Sequence, residues 1–201
     1  MSVVEAAAAA LRAGRLVLLP TDTVYGLACA AESEQAARAL YALKGRDAVQ
    51  PTAVVFASVD VLLERVPGLD EAAAAAVREL LPGPYTLVLP NPTRQYPWLN
   101  SARPEAIGVR VPKLPPGAAA AVAAVGAVVA TSANLPGGVD PCRLEDVPDG
   151  IRDGVAAAID GGVLPGTPST VIDVTGAEPT VLRRGAGDPD GALERVAAAR
   201  G

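Results

Sequence analysis

Residues 15–31 read RLVLLPTDTVYGLACAA, which sets one carboxylate among hydroxyls at the end of an apolar run. Leu16 to Leu19 is short and continuously apolar, the pattern of a covered strand. Pro20 ends it, and Thr21, Asp22, Thr23 and Tyr25 follow before Gly26. In an open α/β sheet, ligands sit just beyond the carboxyl ends of strands, so these side chains are candidates to hold one. The same residues also make a capped turn, with Asp and Thr bonded to nearby backbone and Gly free to take positive φ. A second strand end repeats the chemistry. After the buried run AVVA comes TSANLPGG, Thr131 to Gly138, where Ser132 and Asn134 share a side if the chain is extended. Small, Gly-rich loops after strands let backbone amides approach a phosphate or carboxylate; a plain turn is the alternative.

The cations stand near similar places. Lys44 and Arg46, in KGR, follow a helical stretch. They read as a cap that complements the helix dipole, or as a phosphate clamp with Lys as point charge and Arg as fork. Arg110 interrupts the apolar run IGVRVP, where a guanidinium needs an internal acid or an anionic ligand. Ser169 and Thr170 open one strand, and Arg183 and Arg184 end another or simply face solvent. Together these residues have the composition of a pocket for a phosphorylated ligand plus a small polar one.

Composition narrows the chemistry. The chain has 201 residues, no histidine, two cysteines and a formal net charge of −5. His-based acid–base catalysis and His metal clusters are excluded, and Cys29 with Cys142 supports neither a disulfide framework nor a cysteine metal site. The acidic total does not draw the protein onto nucleic acid. Half of the residues are apolar, enough for a real core. No apolar run is long enough to span a bilayer, and the N-terminus, with Glu5 and no basic region, reads as a first helix and not a signal peptide. A cytoplasmic location is expected.

The elements that must position these residues alternate irregularly. Helices are expected from about Ser33 to Leu43 with Ser33 as N-cap, from Leu69 to Leu81, from Ala118 to Val125, and from Pro189 to Arg200 with Asp188 as N-cap. Strands are expected at Ala53–Ala57, Tyr85–Leu89, Ile107–Val111, Ala127–Ala130, Val155–Ile159, Thr170–Val174 and Thr180–Leu182. A polar loop spans Pro90 to Pro104, and Gly161 to Pro168 is a flexible loop or a lid. This predicts an α/β fold: a single domain, residues 1–201, built on a twisted, mixed, open sheet with flanking helices.

The ordered set PTDTVYGL, LKGRDAVQP, PGPYTLVLP, IGVRVP, TSANLPGG and STVIDVTG–VLRRG resembles the YrdC-like family of L-threonylcarbamoyladenylate synthases, in its short bacterial form. The resemblance implies a large concave cavity on the sheet. It implies a reaction in which L-threonine, bicarbonate and ATP, with Mg²⁺ carried by the ATP, give threonylcarbamoyl-adenylate and pyrophosphate. A tRNA threonylcarbamoyl-transferase complex then accepts the intermediate, for the adenosine beside the anticodon. By position, Thr23, Arg110, Ser132 and Ser169 match threonine contacts. Lys44 and Arg46 match the catalytic pair at the phosphates, and Gln50, Asn134, Cys142 and Arg183 match further ATP contacts. Gln50 stands where many relatives have Asn, Cys142 where many have Thr, and Val55 where some have His. Two rivals remain: a non-catalytic double-stranded RNA- or tRNA-binding module, and a carbamoyl-adenylate transferase acting on another acceptor. The implied reaction needs no protein nucleophile, so it suits a chain without histidine. Positioning and charge neutralisation are enough.

Overall fold

The computed structural model describes residues 1–45 and 50–200. In chain order the helices are α1 (Val3–Arg12), α2 (Glu34–Lys44), α3 (Val59–Arg65), α4 (Glu71–Leu80), α5 (Pro116–Ala123), α6 (Asp149–Arg152) and α7 (Pro189–Arg200). The strands are β1 (Val17–Pro20), β2 (Tyr25–Ala30), β3 (Ala53–Phe56), β4 (Tyr85–Pro90), β5 (Ala106–Arg110), β6 (Ala127–Ser132), β7 (Ala157–Ala158), β8 (Thr170–Asp173) and β9 (Thr180–Arg183). The helix starts follow local chemistry. Ser2 and Glu5 form a reciprocal capping box on α1, and Ser33, Ser58 and Asp70 each accept a backbone N–H at the start of α2, α3 and α4. Asp188 accepts from the Asp190 and Gly191 amides, as expected of the α7 cap.

All nine of these strands join one mixed sheet in the order β7-β1-β2-β6-β3-β5-β4-β8-β9. Three differences from expectation matter. The hydroxyl-rich turn leads into a strand that was not expected: Tyr25 begins β2, which pairs antiparallel with both β1 and β6. Helix α3 fills what was expected to be connection, and the expected strand at 155–159 shrinks to the two residues of β7.

The faces of the sheet are covered unequally. One face packs Leu18, Tyr25, Leu27, Phe56, Leu87, Val109 and Ile172 against α2, α3, α4, α6 and α7, and this is the main core. On the other face, α1 and α5 cover Val17, Leu19, Ala28, Val55 and Val128. Beyond that end the second face carries small residues, Gly26, Ala53, Gly108 and Ala130, and stays open. The strand period of two thus builds a core on one side and a concavity on the other.

Candidate active site

The open face holds a cavity of about 370 Å³. Its floor is the small-residue patch. At Gly108 an added Cβ would already lie 3.5 Å from the Ala53 backbone. Around the floor, strand ends deliver Thr23, Arg110, Ser132, Ser169 and Arg183 to one wall, so five of the expected site residues converge. They come from five separate places in the sheet: the β1–β2 turn and the ends of β5, β6, β8 and β9.

Arg110 finds the internal acid its position demanded. Its Nη2 donates to Asp22 Oδ1 at 2.8 Å and to Thr23 Oγ1 at 3.3 Å. The second carboxylate oxygen of Asp22 accepts from the Lys113 amide at 3.0 Å. Both partners of this pair are nearly enclosed. Burial pushes the Asp22 carboxyl up despite the adjacent guanidinium, and burial lowers the Arg110 pKa, helped in that direction by the charge of Arg183. Desolvation therefore outweighs pairing on both sides. Arg110 Nε is buried and has no hydrogen-bond partner.

The Thr21–Thr23 turn is also a local capping motif. Thr21 Oγ1 donates to the Val24 carbonyl at 2.8 Å and accepts from the Thr23 and Val24 amides. Thr23 lines the cavity but has no exposed surface, since its hydroxyl lies between Thr21 and the guanidinium. The turn and ligand-site readings of this stretch are thus compatible.

On the same cavity, Arg183 donates to the Ser169 carbonyl through Nε and Nη2, at 3.0 and 2.9 Å, and to Ser169 Oγ at 3.1 Å. Ser169 Oγ also pairs with Thr86 Oγ1 at 2.8 Å. Arg184 points away to exposed Asp190.

Lys44 behaves differently from a free clamp. Its ammonium is buried and donates to Ser132 O, Asn134 O and Asn134 Oδ1 at 2.6, 2.7 and 2.7 Å. Ser132 Oγ donates to the same Asn134 oxygen at 2.7 Å, so Ser132 and Asn134 do share a side. Lys44, Asn134, exposed Gln50 and Cys142 stand outside the cavity wall, although Pro51 and Thr52 beside Gln50 line it. Arg46 lies outside the described residues. The Cys142 thiol donates to Asp146 Oδ2 at 3.3 Å, and that bond raises its pKa. Cys29 is sealed in the main core, where burial pushes its thiol up to about 12.

Gly161 to Pro168 reaches the cavity at Pro168. The Tyr25 phenol accepts from the Gly161 amide and lies 2.8 Å from Asp160 Oδ1; further on, Leu164 N and Gly166 N donate to the carbonyls of Cys142 and Thr23. The segment is docked, with Leu164 against the core.

The Sua5/YciO/YrdC family, described as telomere recombination, matches residues 9–185. The chain belongs to this family. It is 33% identical over 194 residues to threonylcarbamoyl-AMP synthase of Pyrococcus abyssi, covering 96% of this chain and 56% of that protein. It is 38% identical over 162 residues to threonylcarbamoyl-AMP synthase of Homo sapiens, covering 79% of this chain and 55% of that protein. The fold matches the crystal structure of P. abyssi Sua5 complexed with L-threonine, with a TM-score of 0.86, 33% identity, and coverage of 96% of this chain and 56% of that one. The chain therefore spans little more than half the length of these relatives. The mixed sheet with flanking helices is the architecture of the family.

Thr86, absent from the sequence-based set, and Asp22 and Tyr25, named there only as members of the hydroxyl-rich turn, also build the site. Asp22 pairs Arg110, Thr86 holds Ser169, and Tyr25 anchors the Gly161–Pro168 segment. Their partners lie 88, 83 and 136 positions away, so spacing along the chain carried no sign of them. The one available sign was indirect: an arginine in an apolar run demands an acid.

Proposed function

We propose that this chain makes L-threonylcarbamoyl-adenylate from L-threonine, bicarbonate and ATP, releasing pyrophosphate. One observation carries the reading: two guanidiniums, Arg110 and Arg183, face one cavity among hydroxyls, and among the described residues the only acid paired to either is Asp22, on Arg110. Among the described residues, that wall has more cation than carboxylate, which suits an anionic ligand. The P. abyssi neighbour is described as complexed with L-threonine, and the relatives are named for the product.

In this reading Arg110 holds the threonine carboxylate, and Thr23, Ser132 and Ser169 surround its hydroxyl and amine. The neutral threonine amine attacks the bicarbonate carbon; the N–C bond forms as a C–O bond breaks, water leaves with the amine proton, and a carbamate results. A carbamate oxygen attacks the α-phosphorus of ATP as the bond to pyrophosphate breaks. Lys44, Arg46 and Arg183 balance the phosphate charge. Lys44 acts by fixing the Ser132–Asn134 corner as well as by its charge, because its protons already have acceptors there. Gln50, Asn134 and Cys142 border the nucleotide. Mg²⁺ carried by the ATP would neutralise its phosphates. The product passes to a tRNA threonylcarbamoyl-transferase complex, in a cytoplasmic setting.

The test is pyrophosphate release from ATP. It should require both threonine and bicarbonate. Release without threonine, or a salt-dependent RNA complex with no ATP turnover, overturns the reading.

A further inference from the structure

The Arg110 guanidinium has a proton arrangement that can be worked out donor by donor. Thr21 Oγ1 lies 2.8 Å from the Val24 carbonyl, which only accepts, so the Thr21 proton goes there. The 2.9 Å contact between Thr21 and Thr23 hydroxyls must then use the Thr23 proton. Thr23 Oγ1 is left to accept from Arg110 Nη2. The other Nη2 proton goes to Asp22 Oδ1. Nη2 is thereby saturated by the protein. Nη1 keeps both of its protons for a ligand in the cavity that Arg110 lines, and Nε stays buried without a partner. Asp22 itself cannot drift, because its other oxygen is held by the Lys113 backbone amide. It ties the β1–β2 turn to the end of β5 and to the chain just after it.

We propose that Asp22 is a positioning residue for the amino-acid substrate: it fixes the Arg110 guanidinium by Nη2 so that the remaining N–H groups of that guanidinium meet the substrate carboxylate. This rests on the function proposed above. Asp22 touches no substrate atom, and its influence passes through Arg110 alone.

The experiment compares binding of L-threonine with L-threoninol, which keeps the amine and hydroxyl but lacks the carboxylate, to the wild type, Asp22→Asn and Asp22→Glu. It is paired with threonine and ATP KM values. Asp22→Asn should weaken threonine about tenfold, one charged hydrogen bond's worth, and leave threoninol and the ATP KM within about twofold. Asp22→Glu, which restores the carboxylate, should recover most of the loss. Equal losses for threonine and threoninol mean that Asp22 only supports the fold, and tighter threonine binding in Asp22→Asn means that it competes for Arg110; either result overturns the proposal. If Asp22→Asn does not fold, Asp22→Ser takes its place in the same comparison: a threonine-specific loss is expected, and equal losses for threonine and threoninol overturn the proposal. A wild type that does not bind threonine at all sinks the proposed function instead.

Discussion

Phe56 and Val55 are neighbours on β3, and they live in different environments. Phe56 points into the main core with Leu27, Leu87 and Val109 around the same face. Val55 points to the other face, onto the cavity wall beside Arg110. The two faces share one backbone and one hydrogen-bond ladder. What separates them is side-chain volume: leucines and aromatics under α2, α3, α4, α6 and α7, against glycine and alanine on the open side. One face therefore holds the fold together and the other makes room. Helices α1 and α5 stop the second face from being open throughout.

That contrast is open to attack from both sides. Phe56→Ala removes a fully buried ring, and about 3–5 kcal/mol of stability should go with it. Urea unfolding measures the loss, and the threonine KM of the folded fraction should stay near wild type. Gly108→Leu should do the reverse. Its Cβ makes ordinary contact with Ala53, so folding stability should change by no more than about 1.5 kcal/mol. The rest of the side chain projects into the cavity, and threonine and ATP binding should both fall at least about tenfold, read by calorimetry. A Gly108→Leu protein that binds normally would mean that the floor is not where the ligand lies.

The smallest effect is a matter of pH. Asp22 has a folded-state pKa raised by burial. A raised carboxyl binds its proton more tightly when folded, so its stabilising contribution is complete below its ordinary pKa and fades as pH rises through the folded value. Carboxylates such as Asp160, held down by the Gly162 amide and the Tyr25 phenol, oppose this trend at lower pH. The difference between wild type and Asp22→Asn isolates it. The wild type should lose stability relative to the variant as pH climbs through that window, and a flat difference curve would contradict the assignment of desolvation as the dominant cause.

The sequence made the strand ends readable because apolar runs stop abruptly at Thr, Ser and Gly. It also flagged Arg110, since an arginine among valines must have a partner. Strand β2 escaped notice: YGLACA is buried on both faces, so it lacks alternation. Helix α3 carried a usable signal, Ser58 ahead of Val59, Leu62, Leu63 and Val66 at helical spacing, but its brevity hid it. The roles of Asp22 and Thr86 were illegible for a different reason. Each is one Thr or Asp among several, and only the folded sheet selects its partner. Lys44 read as an ion clamp or a helix cap, and its actual acceptors belong to a loop about ninety positions away.

The floor of Gly26, Ala53, Gly108 and Ala130 has an evolutionary corollary. A pocket can usually be widened by trimming the residues beneath it, but here almost nothing remains to trim. Descendants of this protein that accept a bulkier amino acid would have to find the space at the walls, around Val55, Val88 and Leu182, while the floor could only ever become more restrictive.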